Sequence, residues 1–381
     1  MQMALDEIKA LHQKHTGVLS IHSELPVKNR TDLGKAYTPG VAELSNLIQQ
    51  DTSLARQYTV SGKLIAIITD GSAVLGLGDI GPQGGLPVVE GKALLYKELA
   101  GVNAIPLALD QTSVPEFVQT VKNISKSFAG IHLEDIKAPR CFEIEDQLNQ
   151  VLDIPVYHDD QEGTAIVVLA GLINAAKVVD KSLTDLKVVV NGAGASGLAT
   201  AKLLASAGLR NITLVDQKGV VRNQSTSLND YQLKFVQSVK PNTDAHTLAE
   251  ALVDQDVLIG LSVGEIVTEV MVKSMATDPI IFALANPIPE IEPALAQKAG
   301  AAVIATGSSA YPNQVNNILA FPGLFRGLLE NHVTHFETSM EAEIAKALAN
   351  MIKAPANEKI VPGVFDDGVV ETIVEAVKQY K

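Results

Sequence analysis

Two pairs of adjacent carboxylates, Glu134-Asp135 and Asp159-Asp160, close apolar runs in the first half of this 381-residue chain. Neighbouring carboxylates repel, and burying such a pair is costly unless a cation or protons compensate. Glu134, Asp135 and one of Asp159 or Asp160 supply three hard oxygen ligands. That set suits Mg²⁺ or Mn²⁺, with water and substrate oxygens completing the octahedron. Zinc is disfavoured because no Cys/His cluster exists; His158, beside the second pair, is a ligand or a structural histidine. Asp70 and Asp110 also follow apolar runs, and there a turn or helix cap competes with a place in the site.

Lys92 falls on the face that Val88, Leu95 and Leu99 trace along a predicted helix, Pro87–Ala100. A lysine there either snorkels to solvent or lies buried near the metal, where a lowered pKa would make it a base. In Tyr37-Thr38-Pro39-Gly40-Val41, Thr38 can cap a helix with Pro39 at its first position and Val41, Leu44 and Ile48 on its apolar face. Tyr37 then stands at a helix entry, either stapling it or turning its hydroxyl into a cleft.

The middle of the chain carries different chemistry. An apolar strand, Lys187–Val190, runs into Gly192-Ala193-Gly194-Ala195-Ser196-Gly197, followed by a helical run, Leu198–Ala207, and a second strand, Asn211–Val215, closed by Asp216. That acid lies about 20 residues beyond the glycines, where a dinucleotide fold needs a carboxylate for the ribose hydroxyls. Asn286, in Leu284-Ala285-Asn286-Pro287, can bond a nicotinamide ribose or the substrate, and Asn316-Asn317 a substrate carboxylate; Asn before Pro is also ordinary turn chemistry. The glycine-rich stretch 71–85 lacks the phosphate-loop pattern and suggests close approach to a ligand or a partner subunit.

These residues need an α/β framework. Strands are predicted at Leu64–Thr69, Ile105–Leu109, Gly130–Leu133 and Pro155–Tyr157, with helices at Pro87–Ala100, Pro115–Phe128 and Cys141–Val151. In the second half strands are predicted at Lys187–Val190, Ile212–Val215, Val257–Gly260, Ile280–Leu284 and Ala302–Ala305. The alternation implies mostly parallel sheets covered by helices, with ligands beyond the strand ends. An apolar helix, Thr164–Val179, links an N-terminal substrate and metal domain, 1–160, to a C-terminal Rossmann-type domain, 161–381. Helices at about 330–381 are expected to pack back on the first domain.

Composition narrows the function. The chain is 46% hydrophobic and 19% charged, as a globular protein is, and its net charge of −13 argues against nucleic acid as a partner. The first residues carry no apolar signal core, and the longest apolar stretch is too short to cross a bilayer. A soluble cytoplasmic protein is expected, and the single cysteine, Cys141, read as a core residue, fits a reducing compartment.

Taken together the motifs resemble the malic enzyme family in its short bacterial form. Those carrying the likeness are Tyr37-Thr38-Pro39-Gly40-Val41, Thr69-Asp70-Gly71, Gly76-Leu77-Gly78-Asp79-Ile80-Gly81, Glu90-Gly91-Lys92, Leu133-Glu134-Asp135, His158 to Ala165, the Gly192 fingerprint, Ala285-Asn286-Pro287 and Asn316-Asn317. The resemblance implies oxidative decarboxylation of L-malate to pyruvate and CO₂ with NAD(P)⁺ and Mg²⁺ or Mn²⁺, in a homodimer. By the same resemblance Glu134, Asp135 and Asp160 are metal ligands, Lys92 is the general base with Asp159 beside it, and Tyr37 is the acid that protonates the enol. Gly192, Gly194, Ser196, Gly197, Asp216 and Asn286 would hold the cofactor, with NAD favoured over NADP by Asp216 although Lys218 is near. Larger members carry a substrate arginine after the first Asp-Gly; here Ser72-Ala73 follow. The distal carboxylate must then meet Ser72, Asn317 or a group from a neighbouring subunit, with Asn286 also facing the substrate.

Three other readings compete. An oxaloacetate decarboxylase on the same scaffold would use the metal, Lys92 and Tyr37 and leave the dinucleotide site idle. An amino-acid dehydrogenase shares the domain order and needs no metal. A non-catalytic nucleotide sensor would not depend on Lys92.

Overall fold

Four apolar segments, β1 (Leu64–Thr69), β2 (Asn103–Ala108), β3 (Gly130–Glu134) and β4 (Val156–His158), form an all-parallel sheet in the order β2-β1-β3-β4. Central strands β1 and β3 are buried on both faces, so they read as continuous rather than alternating apolar runs. The computed structural model describes residues 5–74, 76–226, 228–239 and 244–380. A second sheet takes the order β10-β9-β8-β5-β6-β7, from β5 (Lys187–Asn191), β6 (Asn211–Asp216), β7 (Gly219–Val220), β8 (Val257–Gly260), β9 (Ile280–Ala283) and β10 (Val303–Thr306). It is parallel except for the short edge strand β7.

In both sheets the chain leaves one strand outward on one side and returns on the other. The first sheet reverses between β1 and β3, the second between β5 and β8. Such switch points open a crevice at the carboxyl ends of the strands. The helix Thr164–Val178 joins the two sheets; it is apolar over most of its surface and buried accordingly. One continuous hydrophobic core runs through it from the first sheet into the second. No helix is long and apolar enough to cross a membrane among the described residues.

The C-terminal helices divide their contacts. Phe321–Glu330 packs on the helix Gly81–Ala100, with the rings of Phe321 and Tyr96 4.8 Å apart. Thr338–Asn350 lies instead against Thr164–Val178 and Ala195–Ser206, and Val369–Tyr380 covers the two other C-terminal helices. The N-terminal helices Leu5–His15, Arg30–Ala36 and Gly40–Gln50 bury no residue at all. Thr38 does not cap the third of these. The preceding turn ends at Tyr37, the helix begins at Gly40 after Pro39, and no side chain caps it. Its expected apolar face, led by Val41 and Leu44, is exposed.

Candidate active site

Strand register brings the acids together. Thr69 pairs with Glu134 and Leu133 with His158, so Asp70, Asp135 and Asp159 leave the strand ends side by side. Asp159 and Asp160 occupy a π-helical turn, Asp159–Gly163, that feeds the central helix. Ligand atoms of Glu134, Asp135 and Asp160 all lie within 4.8 Å of one another. Asp135 adopts a left-handed backbone (φ 55°), and its N–H donates to Oδ2 of Asp160 at 3.0 Å. Burial and then repulsion from Glu134 and Asp160 push the Asp135 carboxyl up to about 9. Burial drives Glu134 up to about 7 against the pull of Lys92, and burial and Glu134 raise Asp160 to about 6. Oδ2 of Asp135 is buried without a hydrogen-bond partner. An orphaned carboxylate oxygen amid three converging acids fits a hard divalent cation.

Other candidates around the cluster sort differently. Asp110 is exposed. Asp70 is fully buried, but it accepts from Ser72 N at 3.0 Å and from Ser72 Oγ at 2.6 Å, and it pairs with Arg140. It therefore ties the turn after β1 to the helix Arg140–Val151. His158 is buried and pushed down to about 4 by burial, which leaves it neutral, with Nδ1 3.8 Å from Asp160. Cys141 is fully buried and burial pushes its thiol up, as a core residue requires.

Lys92 sits at the border of a buried stripe made by Val89, Ala93, Tyr96 and Ala100, one position from the face that periodicity suggested. Its side chain is only 12% exposed and its ammonium pairs with Asp159 and, at 2.8 Å, with Glu134 Oε2. Asp159 is fully buried and also accepts from the Tyr157 hydroxyl. Burial alone would lower the Lys92 pKa. The charges of Asp159, Glu134 and Asp160 outweigh it and hold the ammonium above the usual lysine range, so the expected lowering does not occur while these carboxylates are unneutralised.

Two candidates stand apart from this cluster. Tyr37 is 66% exposed on the N-terminal arm, and its hydroxyl has no hydrogen-bond partner among the described residues. Ser72 is buried; its one hydroxyl proton goes to Asp70, and its oxygen accepts from Lys137 N at 2.9 Å. It has no donor left for a substrate carboxylate.

The glycine fingerprint forms the second wall. A Cβ at Gly197 would strike the Gly192 carbonyl, so the helix Ala195–Ser206 can begin this close to β5 only with glycine there. A Cβ at Gly194 would meet nothing within 4 Å. That open space faces the helix N-terminus, where a pyrophosphate would pass, so the residues fit a dinucleotide. Asp216 ends β6 next to the loop, since Gly192 N–H donates to Val215 O at 2.8 Å. Its Oδ1 accepts from Lys218 N at 2.7 Å.

A cavity of about 110 Å³ connects the two halves, with Asp160, Ser196, Asn286 and Asn317 among its lining. Asn316 lines it too, while its side-chain oxygen accepts from Ile318 N at 3.0 Å and caps the turn that Asn317 begins. The glycine-rich loop runs close to Asn286. A Cβ at Gly76, which has φ +77°, would sit 2.9 Å from the Asn286 carbonyl. The close approach is thus to the chain's own second half.

Sequence reasoning missed His132, Tyr96, Tyr157 and Arg140. His132 stands two residues before Glu134 on β3, on the same strand face, and Tyr96 lies one helical turn after Lys92. Those spacings could have found both. Arg140 meets Asp70 only through tertiary structure and left no local signal.

Comparison with known proteins covers both halves. A family model described as the malic enzyme N-terminal domain matches residues 17–114 and 110–149, and one described as the malic enzyme NAD binding domain matches 161–379. The chain is 49% identical over 363 residues to an NAD-dependent malic enzyme of Geobacillus stearothermophilus, covering 95% of this chain and 76% of that one. It is 46% identical over 375 residues to a bifunctional malic/malolactic enzyme of Bacillus subtilis, covering 98% and 92%. The crystal structure of an NAD-dependent malic enzyme from Thermotoga maritima superposes with a TM-score of 0.94 at 41% identity, covering 99% of both chains. A malic enzyme from Pyrococcus horikoshii gives 0.94 at 40% identity, covering 99% of this chain and 90% of that one.

Proposed function

The chain belongs to the malic enzyme family, and from that premise we propose how its residues carry out oxidative decarboxylation of L-malate to pyruvate and CO₂, with NAD as the preferred acceptor. The observation that carries this reading is the shared cavity. Asp160 of the acid cluster and Ser196 of the fingerprint helix line the same space, together with Asn286 and Asn317.

Glu134, Asp135 and Asp160, whose ligand atoms converge, would hold Mg²⁺ or Mn²⁺. When bound, that ion supplies Lewis-acid polarisation of the substrate's C2 oxygen, and NAD supplies the hydride acceptor. Lys92 takes the C2 hydroxyl proton, and Asp159 positions it. Two of the three carboxylates that hold the lysine proton, Glu134 and Asp160, are the ones assigned to the cation, so their pull is withdrawn once they are neutralised. Asn286 and Asn317 offer amide N–H groups to the substrate. Gly192, Gly194, Ser196 and Gly197 would receive the pyrophosphate, and Asp216 the adenosine ribose.

Tyr37 protonates C3 of the enol after CO₂ departs, and it does so in the site of a second copy. The arm that bears it exposes Leu5, Leu11, Ile21, Leu25, Leu33 and Leu47, apolar surface that a partner chain of a homodimer would cover.

Steady-state kinetics with both cofactors test the preference. Asp216 repels a 2′-phosphate, so kcat/KM is higher with NAD⁺ than with NADP⁺; the reverse order overturns the assignment.

A further inference from the structure

His132 and Tyr96 are buried polar residues that the reaction as derived above does not use. Both are fully buried. The His132 ring spans them, with Nδ1 2.8 Å from the Tyr96 hydroxyl and Nε2 2.8 Å from Glu134 Oε2. Phe321, Phe325 and Tyr157 surround the ring edge-on or stacked, so it has no freedom to swing away. His132 also forms a close cluster with Glu134 and Asp159. A metal is not what that cluster holds, because the Lys92 ammonium already bridges Glu134 and Asp159.

The tautomer follows from the partners. With Glu134 ionised, as its pairing with the Lys92 ammonium and its role as a ligand require, Nε2 carries the proton, since two lone pairs would otherwise oppose each other at 2.8 Å. Nδ1 is then the acceptor, and the tyrosine hydroxyl is its donor. The chain of bonds runs in one direction, from Tyr96 to His132 to Glu134. Glu134 Oε2 thereby receives two donors, His132 and Lys92, while Oε1 receives none among the described residues.

We propose that Tyr96 and His132 are a positioning pair for the metal site: the tyrosine hydroxyl fixes the histidine tautomer, and the histidine fixes the Glu134 carboxylate so that Oε1 is presented to the cation. This rests on the assignment of Glu134 as a ligand. Partners of ligating side chains change metal affinity by about 10–100-fold when removed.

The test is Mn²⁺ binding to the purified full-length protein, read from the electron paramagnetic resonance signal of free Mn²⁺, with no substrate present. Tyr96→Phe removes a single oxygen and His132→Leu removes the donor; His132→Gln restores an N–H near the Nε2 position. Tyr96→Phe is expected to weaken Mn²⁺ binding about tenfold and His132→Leu by up to about a hundredfold, with His132→Gln recovering most of the loss. NAD⁺ binding and melting temperature are measured alongside. Should His132→Leu fail to fold, Tyr96→Phe alone decides. Mn²⁺ affinity unchanged in folded Tyr96→Phe overturns the pair, as does a loss that His132→Gln leaves unrepaired. A wild-type protein that binds no Mn²⁺ overturns the ligand assignment and the pair with it.

Discussion

The Lys92 ammonium lies 2.8 Å from Oε2 of Glu134, so the assigned base and the assigned metal site share one carboxylate. Protonation of the lysine and occupancy of the cation site are therefore electrostatically linked, each opposing the other. The arrangement explains why a lysine so well supplied with negative charge is buried, and it makes the base dependent on the ion.

Lys92→Ala is expected to lower kcat for malate oxidation by about 10³-fold or more, because positioned proton transfer is lost with the amine. NAD⁺ affinity, followed by fluorescence titration, is expected to stay within about threefold of wild type, since Lys92 pairs with Glu134 and Asp159 and not with the fingerprint residues. Retained turnover would remove Lys92 from the role of base.

Cation binding is expected to release protons and to weaken as pH falls. The carboxyls of Asp135, Glu134 and Asp160 are raised to about 9, 7 and 6, so at neutral pH protons compete for the ligand oxygens. Between about pH 8 and pH 6 the apparent Kd for Mn²⁺ should rise, and calorimetry in two buffers of different ionisation enthalpy should report proton release. Asp135→Asn removes one ligand charge and one of the competing protons together, and should weaken Mn²⁺ while flattening its pH dependence.

Away from the site, Glu341 offers a stability test. It is buried on Thr338–Asn350, and burial and then Glu145 push it up to about 8 from an unfolded value of 4.5. The folded state thus holds this proton more tightly than the unfolded chain does. Its stabilising contribution is full below the unfolded pKa and is lost as pH rises through about 8. Glu341→Gln should therefore match wild type near about pH 5 and melt about 2–4 °C higher near about pH 9. Equal melting temperatures at both values would show that the carboxyl is relieved in another way.

Tyr37 supplied by a second copy makes a distinctive prediction. Tyr37→Phe and Lys92→Ala are each expected to be inactive as homodimers. In a hybrid of the two, one site receives the intact tyrosine together with the intact lysine. After mixing, unfolding and reassembly, about a quarter of wild-type activity should return. No recovery, with hybrids verified by mass, would place the tyrosine and the lysine in the same chain.

Much of this was legible in the amino-acid sequence, and for definable reasons. β1 runs Leu64–Thr69 as apolar residues do when both faces are buried, and the acids stand where the parallel strands end. The fingerprint around Gly192 is legible because Gly197 has no sterically allowed alternative. Lys92 was placed one position off the buried stripe, since helix periodicity alone does not reveal which flank meets the sheet. Ser72 read as a substrate group only because its partners, Asp70 and the Lys137 amide, depend on a tertiary turn. The N-terminal arm was the least legible part. Its apolar residues have the spacing of a core-facing helix, yet they face away from their own chain.

The account rests most directly on product stoichiometry, measured with malate, NAD⁺ and Mn²⁺ in one vessel and with oxaloacetate and no cofactor in another. It predicts that NADH and pyruvate appear from malate in equal amounts, that EDTA stops both, and that Mn²⁺ restores both. Pyruvate released from oxaloacetate by a protein that makes no NADH from malate would contradict it.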